Sequence, residues 1–207
     1  MLRPRDLSRA QCGSCSRETK YHSLHVLKML FVPCPARRLI VPRNRTRIPK
    51  KSRMQEQIAS RLKSLGLTLP PPPVPSANYV PFAISGPLLH LSGQGPQAPD
   101  GSWGIGKVGS EVSIEDACQH ARLAGLRLLS VAQSALGSLD RVQRVVKLLG
   151  FVNGEPTFRE HPKIIDGCSA LMIEVFGDAG RHARSSIGAG SLPRNMTVEI
   201  EAIFEIR

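Results

Sequence analysis

Residues 198–206 alternate with a period of two. Val198, Ile200, Ala202, Phe204 and Ile206 fall on one side, and Glu199, Glu201, Ile203 and Glu205 on the other. Successive side chains of a strand point to opposite faces, so this pattern describes a strand with one buried and one open face. Such a strand needs a helical layer over its apolar side, and two segments qualify. Ser113 is a good N-cap, with Asp116 at the capping-box position, and Ala117, Ala121, Ala124, Leu128, Ala132 and Ala135 then line one helix face up to Gly137. The small residues of that face predict close packing. After Pro162, a favoured first-turn residue, Ile164, Ile165, Cys168, Leu171, Met172, Val175 and Phe176 form a second apolar stripe that Gly177 ends.

The remaining elements follow from β-rich runs and turn residues. Val80–Ser85 and Leu88–Ser92 flank Gly86-Pro87 and predict a hairpin, and Gly93–Gly109 reads as loop. Val142–Val152 is too apolar for an exposed edge strand, and Ser185–Ala189 and Thr197–Ile206 complete the strands. Gln55–Leu65 has helical spacing, and Pro70–Pro73 with Pro75 reads as a stiff connector. This order predicts an α+β fold: a two-layer sandwich of a mixed sheet with two main helices on one face. The uncovered face is apolar in places, which predicts oligomerisation.

Charge divides the chain. Residues 1–53 hold 14 Lys/Arg against 2 Asp/Glu, whereas residues 54–207 hold 14 of each, so the whole net charge of +12 lies in the first quarter. The basic segment has weak periodicity and interleaves arginines with Pro35, Pro42 and Pro49, a composition expected to stay disordered. Met54 opens sequence of a different character. The domains are therefore read as a basic extension, 1–53, with Met54 as an alternative start, and a globular domain, 54–207. No apolar run approaches the roughly 18–20 residues of a membrane helix. Five cysteines without paired spacing argue against a secreted disulfide framework, and a cytoplasmic location is expected. Organelle targeting or nucleic-acid binding through residues 1–53 is the alternative role for the extension. Cys12-x-x-Cys15 with His22 and His25 has only loose zinc spacing, so no metal is expected.

Chemistry concentrates in the last quarter. Arg181-His182-Ala183-Arg184-Ser185-Ser186-Ile187 is followed by Leu192-Pro193 and Val198-Glu199-Ile200-Glu201-Ala202, with Asn78-Tyr79 and Ser92-Gly93-Gln94 upstream. This ordered set resembles the Rid (YjgF) family of enamine and imine deaminases, also labelled endoribonuclease L-PSP, over about residues 56–207. The Gly150-Phe151-Val152-Asn153 strand end is similar to that of a divergent subgroup. The resemblance implies a chorismate-mutase-like fold, a homotrimer with sites between subunits, and cofactor-independent hydrolysis of 2-imino or 2-enamino acids to 2-oxo acids and ammonia. In that reading Arg184 binds the substrate carboxylate, for which a guanidinium fork suits two parallel hydrogen bonds. Glu199 manages the attacking water. Tyr79, Ser92 and Gly93 line the pocket, and backbone groups at Ser186 polarise the imine.

Two positions depart from the family pattern. Ser186 stands where many relatives have Cys, and Asp166 lies nearest the place of a helical Asn. An acid beside a carboxylate-bearing substrate repels it, so Asp166 either selects a different substrate or points elsewhere. Three competing readings remain at this level. Arg184 is a plain ion-pair partner of Glu199 or Glu201; the chain is a non-catalytic trimer that binds a small carboxylate; or it is an endoribonuclease, for which the neutral 54–207 domain offers no phosphate-tracking excess.

Overall fold

The computed structural model describes residues 58–74 and 78–207. The readings of Met54, the basic segment and the Cys12–His25 group lie outside the described residues. The elements are α1 (Ile58–Ser64), β1 (Phe82–Ser85), β2 (Leu88–Gln94), α2 (Ile114–Leu136), β3 (Val142–Val152), α3 (His161–Phe176), β4 (Ala183–Gly188) and β5 (Val198–Ile206). The strands form one mixed sheet in the order β1-β2-β5-β3-β4, with β3 and β4 parallel and the other neighbours antiparallel. This is the expected two-layer α+β sandwich.

The period-two pattern of β5 becomes its burial pattern. Val198, Ile200, Ala202, Phe204 and Ile206 are buried, and Glu199, Glu201, Ile203 and Glu205 face the open side. β5 lies at the centre of the sheet. Phe204 is fully buried and meets Phe176 of α3 edge to face, with ring centroids 6.0 Å apart. Truncating such a side chain to alanine costs about 3–5 kcal/mol.

Ser113 accepts the Asp116 amide through its side chain, and Gly137 closes α2 in the left-handed conformation, where glycine carries no Cβ penalty. α2 and α3 touch where both have small residues. A Cβ at Gly167 would strike the Cys118 carbonyl, and one at Gly125 would meet Leu171 and Cys168. This is the close packing that the alanine-rich face predicts. Gly150 does the same between layers, where Ile165 of α3 rests on β3.

Several details differ from the sequence reading. β2 runs on through Gly93 and Gln94 because a register shift after Leu91 lets the strand keep pairing with β5. β4 starts at Ala183, drawn into the sheet by parallel pairing with Lys147. The described part of the first helix is Ile58–Ser64, its first amide held by Asp140. The proline connector is a packed strap: the Pro70 carbonyl accepts the Ser130 hydroxyl of α2 at 2.6 Å.

Candidate functional site

The residues singled out in the sequence fall into two groups, one on each face of the sheet. Arg184 stands on β4 in register with Leu148, whose side chain is in the core, so Arg184 shares the helix-facing side. There its Nη1 donates to Asp166 Oδ1 at 2.6 Å and to Ser169 Oγ at 2.9 Å. Asp166 and Ser169 are three residues apart on α3 and therefore neighbours on one helix face. Asp166, not Glu199 or Glu201, is the ion-pair partner, which corrects the plain alternative reading of Arg184.

Ser169 is itself held. His182 Nδ1–H donates to the Gly180 carbonyl at 2.6 Å, which leaves Nε2 of the neutral ring to accept the Ser169 hydroxyl at 3.0 Å. Burial holds the His182 pKa below its ordinary value, with Arg184 acting in the same direction. The ring thus stays neutral and keeps its acceptor. The relay runs in one direction, from Arg184 through Ser169 and His182 to a backbone carbonyl. Both hydrogen bonds to Arg184 fall on Nη1, so the rest of the fork is not engaged by them. Ser186, two residues on, also faces the helices. Its Oγ is buried without a hydrogen-bond partner among the described residues.

The second group lines a cleft of ≈ 960 Å³ whose wall runs from Glu199 on β5 to Leu123, Leu126 and Arg127 of α2. Tyr79, Ser92, Gly93 and Glu199 all belong to its wall. The Ser92 hydroxyl donates to the Val80 carbonyl at 2.7 Å, which ties the segment carrying half-exposed Tyr79 to β2. Gly93 is where a side chain would collide with the Glu199 carboxylate, so glycine there is a condition for Glu199 to reach the cleft. Burial, and then the neighbouring Glu201, push the Glu199 pKa above its ordinary value. A carboxylate so placed is a stronger base than one in water.

Register keeps the two groups apart within one chain. Glu199 is level with Phe151 and Ile187, on the open face, whereas Arg184 is level with Leu148 and Ala202, on the helix face. Arg184, Ser186 and Asp166 are brought together, and so are Tyr79, Ser92, Gly93 and Glu199.

Sequence reasoning missed several residues that shape these places. Ser169 carried no motif. Arg127 is buried and is the one charged residue in the run Ala124–Ala132, an interruption that was visible in the sequence. Trp103 lies in the cleft wall with the guanidinium carbons of Arg127 and Arg194 at 5.4 and 5.3 Å from its ring centroid. His90 is exposed on the open face opposite Ile203.

Three comparisons bear on this arrangement. A profile for the family described as "YjgF/chorismate mutase-like, putative endoribonuclease" matches residues 59–205. Protein TCP17 of Trypanosoma cruzi is 41% identical over 151 residues, which cover 72% of this chain and 94% of that protein. A crystal structure of a protein of unknown function from Agrobacterium tumefaciens shares 46% identity at a TM-score of 0.67, over 73% of this chain and 94% of that one. A structure from Shewanella oneidensis, described as a putative endoribonuclease, shares 33% identity at a TM-score of 0.70, over 72% and 99%.

Proposed function

The chain belongs to the YjgF/chorismate mutase-like family, and from that premise we propose that it hydrolyses reactive 2-imino or 2-enamino acids to 2-oxo acids and ammonia without an organic cofactor. The observation that carries the reading is the pairing of a fixed but half-engaged guanidinium, Arg184, with a desolvated carboxylate, Glu199, in a chain that holds them on opposite sheet faces. One chain cannot apply both groups to one small substrate. A homotrimer with sites between subunits supplies Arg184 from one copy and the Glu199 cleft from the next. Exposed Ile187 and Ile84 on the two edge strands favour such burial.

In this scheme the substrate carboxylate takes the part of the Arg184 fork that Asp166 and Ser169 leave, and backbone groups at Ser186 polarise the imine. Glu199 accepts a proton as water adds to the imine carbon. That proton passes to nitrogen to give the carbinolamine, and the carbinolamine's hydroxyl proton follows as the carbon–nitrogen bond breaks and the carbonyl forms, so imine and water become 2-oxo acid and ammonia. Asp166 offsets part of the guanidinium charge, which weakens carboxylate binding and sets a moderate affinity.

The endoribonuclease reading draws on the family description. The equal numbers of acidic and basic residues in 54–207 give it less support, because RNA affinity rests on surplus positive charge. The test is ammonia release by the full chain from imino acids formed in place by an amino-acid oxidase. Acceleration that is lost in Arg184→Ala supports the reading. A folded protein that accelerates none of a range of side chains overturns it in favour of a carboxylate-binding trimer, and RNA cleavage by the same preparation would favour the older label.

A further inference from the structure

The cleft that holds Glu199 also holds two arginines that the proposed reaction does not use. Arg127 is 8% exposed. Its Nη1 donates to Gln97 Oε1 at 2.6 Å, and its Nε is buried without a partner among the described residues. Arg194 approaches the same Trp103 ring from the loop before β5. Neither arginine has an acidic partner among the described residues. Burying a guanidinium without an opposite charge is unfavourable, and a desolvation-lowered pKa records that cost at Arg127. An incoming anion relieves it.

The loop is shaped to keep Arg194 in place. Arg194 and Asn195 both have left-handed backbone, with φ of 58° and 57°, a region where a side chain costs energy and glycine does not. Buried Asn153 holds that conformation by donating from Nδ2 to Asn195 Oδ1 at 2.9 Å, and the Gly106 amide donates to the Asn195 carbonyl at 2.8 Å. An arginine kept at a strained position over a tryptophan is a placed group.

The cationic wall lies close to the reacting end. A Cβ at Gly93 would meet Glu199, and one at Gly95 would meet Met196 Sδ first and then the Trp103 ring. Two residues of extended chain span about 7 Å. A four- or five-carbon diacid covers that length.

We propose that the far end of the cleft recognises a second acidic group through Arg127 and Arg194, so that the substrate is the imine or enamine of a dicarboxylic amino acid. This rests on the imine-hydrolysis reading for the reacting end. The specificity end rests on the two arginines, Trp103 and the absence of a counter-charge. Among the described residues Glu199 is the single acid in the cleft wall, and the two guanidinium groups outweigh it.

Trp103 is the only tryptophan in the chain, so its fluorescence reads binding at the site directly. The full chain is titrated with 2-oxoglutarate and with 2-oxopentanoate, which differ only by the terminal carboxylate. The expected result is about tenfold or tighter binding of 2-oxoglutarate. Arg194→Gln, at an exposed position, should bring the two affinities together, and Arg127→Gln should do the same if it folds. Ammonia release from the imines of glutamate and norvaline should show the same preference in kcat/KM. Equal affinities for the two oxo acids overturn the proposal, as does a preference that survives Arg194→Gln. Tighter binding of inorganic phosphate than of 2-oxoglutarate overturns the carboxylate assignment. Arg184-dependent ammonia release with no preference for the acidic side chain leaves the imine reading standing and removes this one. A dicarboxylate preference with no ammonia release from any imine removes the imine reading and supports acidic-group recognition.

Discussion

Arg184 on β4 and Arg127 on α2 are both arginines held by neighbouring side chains, yet the molecule treats their charges in opposite ways. Arg184 has Asp166 at 2.6 Å and a serine fixed by a neutral histidine, so its charge is balanced and its direction set. Arg127 is more deeply buried, has an amide oxygen for a partner, and keeps one nitrogen unpaired. A balanced arginine is already stable without a ligand and gains orientation. An unbalanced one is poised for a ligand that brings the missing charge. Under the proposed reaction the two regions divide the work between aiming a substrate and selecting it.

Both regions hang on the helical layer, so the largest expected effect removes them together. Gly167→Ala places a methyl group against the Cys118 carbonyl, a backbone atom that moves only with α2. A loss of about 3 kcal/mol is expected from overpacking, read as a lower urea midpoint. Both the Trp103 fluorescence response and ammonia release should disappear with it. An unchanged midpoint would mean that the two helices are less closely seated.

Glu199→Gln separates chemistry from binding. Loss of a positioned base should lower kcat by about 10²–10⁴-fold. The pH profile carries a second signature. Burial raises the Glu199 pKa, so the acid limb of kcat/KM should lie above the ordinary glutamate range and vanish in the variant. The sign for stability follows. A carboxyl that ionises less readily when folded destabilises the protein above its folded pKa, and this contribution is absent below its unfolded pKa. Glu199→Gln should therefore raise Tm at neutral pH and leave it unchanged in acid.

Arg184→Ala tests the aiming region alone. A loss of about 10²-fold in kcat/KM is expected, with little recovery in Arg184→Lys, because an ammonium does not reproduce the planar fork. The response of Trp103 to 2-oxoglutarate should keep its Arg194 dependence. Asp166→Asn sharpens the comparison in the other direction. The amide oxygen still accepts from Nη1, but the balancing charge is gone. For a pair with Asp166 largely exposed, the gain is small. KM for carboxylate substrates should fall up to about fivefold, and an unchanged KM would show that the Asp166 charge does not reach the substrate.

The fold was largely legible because each element carried its own periodicity and its own stop. The alternation over 198–206 became β5, the Ser113 cap and Gly137 bounded α2, and Gly177 ended α3. What was not legible depended on partners distant in sequence. β2 gained Gly93 and Gln94 by pairing with β5, and β4 gained Ala183 from β3. The site was legible by halves. The ordered motif pointed to Arg184 and Glu199, but nothing local says that they lie on opposite faces, which is a property of sheet register. Ser169 was invisible because a lone serine on a helix has no signature. Arg127 was visible as a charge inside a largely apolar run, and its meaning appeared only when Trp103, from the loop before α2, was found beside it.

The smallest effect concerns the other unpaired donor. Ser186 Oγ and Arg127 Nε are both buried without partners, but a neutral hydroxyl costs less to strand than a charged nitrogen. If the reaction uses backbone groups at this position, the hydroxyl contributes nothing to turnover and a stranded donor to the folded state. Ser186→Ala should then stabilise the protein by about 1 kcal/mol, seen as a higher Tm, and leave kcat within about twofold. A gain in stability accompanied by a large fall in kcat would assign the hydroxyl to the reacting imine and place Ser186 beside Arg184 as a substrate contact. No gain in stability would mean that the hydroxyl already has a partner in the assembled protein, supplied by the neighbouring copy. The three outcomes separate a residue that is idle, one that reacts and one that joins subunits, and each follows from the same unpaired oxygen.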